Sequence, residues 1–133
     1  MTASASVSAP SLQLSRIGQI AITARDLPRA IAFYRDVLGM PFLFEAPKMA
    51  FFDCGGVRLM LATPETPEFD HPASILYYKV DDISRAHQAL IKRDVTFVSL
   101  PHIAARLADR DLWLAFFRDS ENNLLALQSE VPR

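Results

Sequence analysis

The sequence predicts an α+β fold in which tandem βαβββ modules form a curled mixed sheet around a cleft. Three observations lead there. The segment Ala24-Arg-Asp-Leu-Pro-Arg-Ala30 returns as Val80-Asp-Asp-Ile-Ser-Arg-Ala86, so Asp26, Leu27, Arg29 and Ala30 match Asp82, Ile83, Arg85 and Ala86 at an offset of 56 (82 minus 26). Downstream, Ala50-Phe-Phe-Asp53 returns as Ala115-Phe-Phe-Arg-Asp119. Around each repeat the apolar residues change spacing from a strand period to a helix period and back. Residues 17–133 therefore read as one domain, with module one at 17–62, a linker at 63–73 and module two at 74–129. Residues 1–16, rich in Ser and Ala, read as a disordered N-terminal tail and not as a signal peptide, having no basic start followed by an apolar core.

The elements follow in order. Ile17 to Ala24 alternates as a strand, with Ile20, Ile22 and Ala24 on one face and Gln19 on the other. Asp26 offers an N-cap, Pro28 fits the first turn, and Leu27, Ala30, Ile31, Tyr34, Val37 and Leu38 make one apolar stripe that Gly39 closes. Phe42 to Glu45 is a short strand, and Met49 to Asp53 with Val57 to Ala62 form a hairpin around Cys54-Gly55-Gly56. The proline-bearing stretch after Ala62 is the linker. In the second half, Ile75 to Val80 is a strand, Asp82 caps a helix to about Arg93, and Thr96 to Leu100 is a strand. Trp113 to Arg118 and Leu124 to Ser129 form the last hairpin. Residues 102–112 have no counterpart in the first half and read as an inserted loop, a common place for function.

Composition excludes several classes of function. The chain of 133 residues is long enough for one packed core and too short for two. Its 14 basic and 15 acidic residues are evenly mixed, which argues against nucleic acid and anionic membrane as partners. No apolar run approaches the ~20 residues of a bilayer span. Cys54 is the single cysteine, so an internal disulfide and a cysteine-cluster metal site are both excluded, and a cytoplasmic setting is expected.

The string Ile17-Gly-Gln-Ile-Ala-Ile22, followed by Arg25-Asp-Leu-Pro-Arg-Ala-Ile-Ala-Phe-Tyr-Arg-Asp-Val-Leu-Gly39, resembles the vicinal oxygen chelate superfamily. That group includes glyoxalase I, the extradiol dioxygenases, the fosfomycin resistance proteins and the bleomycin-binding proteins. Asp119-Ser-Glu-Asn-Asn-Leu-Leu-Ala126 is similar to the Asp-Pro-Asp-Gly-Asn segment before that family's last strand, and the resemblance covers about residues 17–129. It implies up to four metal ligands on equivalent inward strand positions. Here those positions are Gln19, then Leu59 (or Met60 or Leu61 in a shifted register), Ile75 and Ala126. A divalent ion needs convergent oxygen or nitrogen lone pairs, and three apolar side chains supply none. No metal and no cofactor are therefore expected, and the Lewis-acid chemistry of the family's enzymes loses its centre.

The remaining polar residues each carry two readings. His102 opens the 102–112 segment, either as a loop histidine at a strand end or as a ligand contact and general base. Tyr77 shares the alternation of Ile75 and either packs or meets a ligand. Trp113 is either core or one wall of a pocket. His71 in the linker and His87 on the second helix read as structural, Cys54 as inert. The expected function is metal-free binding of a small, partly aromatic or antibiotic-like molecule by a cleft of Gln19, Leu59, Ile75, Tyr77, His102, Trp113 and Ala126. The alternative is a lyase, isomerase or glyoxalase-like enzyme using His102 or Tyr77 as acid/base. Unpaired sheet edges point to a homodimer.

Overall fold

The computed structural model describes Leu12 and residues 14–133; the expected tail falls almost wholly outside the described residues. Strand β1 (Gln19–Thr23) leads to helix α1 (Leu27–Ala32), which runs on into a π-helical turn over Phe33–Val37. Strands β2 (Phe42–Ala46), β3 (Met49–Cys54) and β4 (Val57–Ala62) complete the first module. After a single 3-10 turn at Pro67–Phe69 come β5 (Leu76–Lys79) and helix α2 (Ile83–Lys92). Strands β6 (His102–Arg106), β7 (Arg110–Arg118) and β8 (Leu124–Pro132) follow. Among the described residues no helix is long and apolar enough to cross a membrane.

Local chemistry explains the helix starts. The Asp26 carboxylate accepts from the Arg29 N–H and the Asp82 carboxylate from the Arg85 N–H, both at 3.1 Å, so each repeat caps its own helix with the same residue pair. Gly39 closes the first helix at φ 70°, a left-handed conformation that costs a glycine little.

The expected single curled sheet around a cleft is overturned. The strands form two separate four-stranded sheets, ordered β1-β4-β3-β2 and β5-β8-β7-β6, neither closed nor strongly curled. The reason lies in the pairing: β1 bonds only to β4 and β5 only to β8, both in parallel, so no strand joins one sheet to the other. The sheets meet instead through a common core. Ile22, Phe52, Leu59 and Leu61 of the first share it with Phe117, Leu125 and Leu127 of the second, together with the inner stripes of both helices. Burial is thus spent on the helix-side faces, and the opposite faces stay open.

Two further expectations are corrected. Residues 96–100 form no strand beyond an isolated bridge from Phe97 to Phe117, and residues 102–112 are no inserted loop but strand β6 and the start of β7. The extra length of the second module lies ahead of β6 and in β7 and β8, nine residues each against six in β3 and β4. Each module also carries a register shift on its outer strand pair, between Phe42 and Phe44 in the first and between Ile103 and Ala105 in the second.

The modules are locked together at the β7–β8 turn. The buried Tyr34 hydroxyl donates to Asp119 at 2.7 Å, and the same carboxylate accepts from the Asn123 amide and from the backbone N–H groups of Glu121 and Asn123. Burial, then the Asp119 charge, push the Tyr34 phenol far above its ordinary value of 10. Burial also raises Tyr78, with a smaller contribution from Cys54.

Loss of the Tyr34 bond in Tyr34→Phe should lower unfolding free energy by about 1.5–3 kcal/mol in urea at neutral pH, as for other hydrogen bonds to a charged acceptor. A pH dependence accompanies it. Both phenols titrate higher in the folded than in the unfolded chain, so stability is intact below pH 10 and falls as pH rises beyond it. Each contributes a slope of about 1.4 kcal/mol per pH unit, and Tyr34→Phe should remove one such contribution from alkaline denaturation.

Candidate functional site

Alternation decides what each sheet shows to solvent. On the first sheet, register aligns Gln19 with Arg58, and Ala21 with Met60 and Phe51, on the face away from the helices. The Gln19 amide reaches the Met60 sulfur at 3.7 Å, and Arg58 lies 5.5 Å over the Phe51 ring, which stacks on Phe44 at 4.5 Å. At the far end of this face is a recess of about 280 Å³. Its floor is Ala21, Met49, Met60 and Ala62; Phe69 of the linker overhangs it, and Thr23, Lys48 and His71 bring polar atoms to its rim. Lys48 is held there at φ 61° by the tight turn between β2 and β3.

On the second sheet, Tyr77 aligns with Ala126 and Phe116. Tyr77 meets the Phe116 ring edge-on at 5.9 Å, and the His102 ring lies 6.5 Å from the other side of the same ring. His102 Nδ1 sits 2.8 Å from the Leu100 carbonyl; that oxygen can only accept, so Nδ1 donates and Nε2 faces away from this bond. This is an aromatic platform with one tyrosine hydroxyl and one imidazole nitrogen available to a ligand.

The expected residues are therefore divided. Tyr77, His102 and Ala126 share one face, with Ile75 just ahead of β5 and 40% exposed. Gln19 belongs to the other sheet. Leu59 is buried in the core, and Met60 occupies the open-face position that was expected of it. Trp113 also packs against the core, near Asp82 and Ile83 at the start of α2, so it walls no open face. Met49, Lys48, Phe69 and Phe116 were missed, and Met60 was named only as the alternative to Leu59 in a shifted register. Leu59-Met-Leu61 is apolar throughout, so its inward and outward residues are indistinguishable until β4 is paired with β1.

A second, polar hollow of about 460 Å³ separates the modules beside the recess, but its charges are paired. Arg25 bonds Asp70, and Arg29 bonds the buried Glu121 at 2.8 Å. Glu121 also accepts from the Arg25 and Asp26 N–H groups at 2.9 Å, just ahead of α1. This cluster has a structural use.

A model of the Glyoxalase/Bleomycin resistance protein/Dioxygenase superfamily matches residues 16–127. The chain belongs to that superfamily. Among relatives, it is 28% identical over 126 residues to YraH of Bacillus subtilis, covering 82% of this chain and 94% of that one. It is 28% identical over 111 residues to the metallothiol transferase FosB of Staphylococcus epidermidis, covering 82% of this chain but 63% of FosB. The lactoylglutathione lyase of Agrobacterium tumefaciens shares the fold at TM-score 0.71 and 22% identity, over 88% of this chain and 95% of that one.

The residues at the positions where the resemblance implies metal ligands do not fit a metal here. Gln19 matches Ile75 at the offset of 56, and Met60 and Ala126 sit on the open faces of the strands paired with β1 and β5: one amide, one thioether and two hydrocarbon side chains. Hard divalent ions require several oxygen or nitrogen donors. Among the described residues no group of three or more His, Cys, Asp or Glu could hold an ion.

Adding Zn²⁺, Ni²⁺, Mn²⁺ or Fe²⁺ to chelator-treated protein should leave Tm unchanged in a thermal melt. A stoichiometric, stabilising ion would overturn this reading of the donor set, and Gln19→Ala and His102→Ala would identify the ligands.

Proposed function

We propose that this superfamily member is a metal-independent small-molecule binding protein that takes a partly aromatic, antibiotic-like compound on its open sheet faces. The observation that carries the reading is the recess on the first sheet. Small residues at Ala21 and Ala62 leave room above the sheet, two methionines supply an adaptable, polarisable floor, and Phe69 provides a stacking partner. Apolar walls with a few polar groups at the rim are the usual composition of such sites. Gln19 at one end and Lys48 at the other would orient polar substituents. The bleomycin-binding members to which this chain is similar act by holding a compound without turning it over.

A homodimer belongs to the proposal. Phe42, Phe44, Ile75 and Tyr77 are each more than a third exposed, and β1 and β5 are free edges, so a second copy would cover surface that water leaves costly. A single cysteine, Cys54, fits a cytoplasmic setting, and burial, then Asp53, push its thiol up. A second reading, proton transfer, is favoured by one observation: Tyr77 and His102 flank the same phenylalanine on one face. His102→Ala would then abolish turnover while leaving the melt unchanged.

The test is a thermal-shift panel of antibiotics and aromatic metabolites on the wild type and on Ala21→Trp, which fills the recess. A ligand at about 100 times its Kd adds about 2.7 kcal/mol, several degrees in Tm, and Ala21→Trp should abolish that shift. Rapid turnover of a panel member, or a shift that survives Ala21→Trp, would overturn the reading.

A further inference from the structure

The linker between the modules is tied to the rest of the molecule near both ends. At its start the Thr63 hydroxyl donates to the Ala24 carbonyl at 2.7 Å, and the Thr63 N–H to the Lys48 carbonyl at 3.0 Å. Towards its end the Thr23 hydroxyl donates to the His71 carbonyl at 3.3 Å. Between these anchors, among the described residues, 64–69 form hydrogen bonds only within the 3-10 turn. The Phe69 N–H donates to Thr66 and the Asp70 N–H to Pro67, both at 3.1 Å. Pro64, Pro67 and Pro72 each fix a φ angle, so the stretch is a stiff strap.

One side-chain contact sets where that strap lies. Arg25, at the entrance to α1, bonds Asp70, and Asp70 directly follows Phe69, the ring that overhangs the recess. Neither Arg25 nor Asp70 lines the recess itself. Their side chains are 66% and 39% exposed, so salt screens the attraction and the contact opens at low cost. Phe69 is 66% exposed, a large apolar ring held over an apolar floor with most of its surface in water. A compound in the recess would cover that surface, and burial of an aromatic ring is among the larger gains a side chain offers.

We propose that residues 64–70 are a strap that closes on the ligand of the recess, with Arg25 and Asp70 as its latch. Arg25 is a positioning residue: it touches no ligand and acts by placing Phe69. The inference rests on the recess being the ligand site. It carries a signature that direct contact lacks, since the affinity of an uncharged compound becomes sensitive to salt.

The probe is N-phenyl-1-naphthylamine, an uncharged aromatic dye that fluoresces in apolar surroundings, titrated into the full chain at roughly 20 mM and 500 mM NaCl. Wild type should bind about two- to fivefold less tightly at high salt, opposite in sign to salting-out of the dye. Arg25→Ala and Asp70→Ala should each weaken binding by the same factor at low salt and abolish the salt effect. The double variant should be no weaker than either single one, and Arg25→Lys should retain most of the affinity. All should melt within a few degrees of wild type. Without dye, amide order parameters at Phe69 and Asp70 should fall from about 0.85 towards about 0.6 in Arg25→Ala. Wild-type affinity that ignores salt, additive losses in the double variant, or unchanged order parameters would each overturn the latch while leaving the recess in place. Dye that fails to bind, or whose binding survives Ala21→Trp, would overturn the recess reading and this one with it.

Discussion

The arrangement of this molecule depends on one buried carboxylate. Asp119 is 7% exposed, and a charge so placed is tolerable only if its lone pairs are filled. Four donors fill them: the Tyr34 hydroxyl, the Asn123 amide and two backbone N–H groups of its own turn. Three of those donors are local and shape the β7–β8 turn. The fourth comes from the first helix and fixes that turn against the other module. No hydrogen-bonded strand pair joins the two sheets, so this contact, the bonds of Glu121 and Asn123 to the first module and the shared apolar core set how the sheets face one another. Every statement about which faces stay open rests on that geometry.

Openness has a chemical consequence. In a sheet that curls round a ligand, each inward side chain has a partner opposite and can converge on one point. Here the matching positions Gln19 and Ile75 lie on separate sheets that share no hydrogen-bonded strand pair. What each face can do alone is offer a patterned surface: thioethers and small residues on one, aromatic rings and an imidazole on the other.

Much of the element order was legible because it is written in local chemistry. The pairs Asp26–Arg29 and Asp82–Arg85 announced two helix starts, Gly39 an ending, and Gly55-Gly56 a hairpin. Alternation on β1 put Gln19 on the open face and Ile22 in the core correctly. Where a run is uniformly apolar, as at Leu59-Met-Leu61, period-two reasoning has nothing to grip, and the wrong neighbour was chosen. Trp113 failed for a related reason: Trp113, Leu114, Ala115 and Phe116 offer no polar marker, so only pairing with β8 reveals which of them face the core. The relation between the two sheets was not legible at all, because it rests on contacts between residues such as Tyr34 and Asp119, 85 positions apart. The recess went unseen for a related cause, since it joins Phe69 of the linker to Ala21 of β1, on the far side of the first helix and hairpin in sequence.

The Glu121 contact gives the repeat a direction. Its carboxylate takes the Arg25 and Asp26 N–H groups at the entrance to α1, yet the matching hairpin of the first module, around Gly55-Gly56, returns no such service to α2. The older symmetry of the two halves has therefore become a dependence of one on the other. A chain is made from its N-terminus at about 5–20 residues per second. During synthesis the first helix emerges long before its final partner exists, and must wait, hydrated, for a residue near the other end of the message. The first module is completed last.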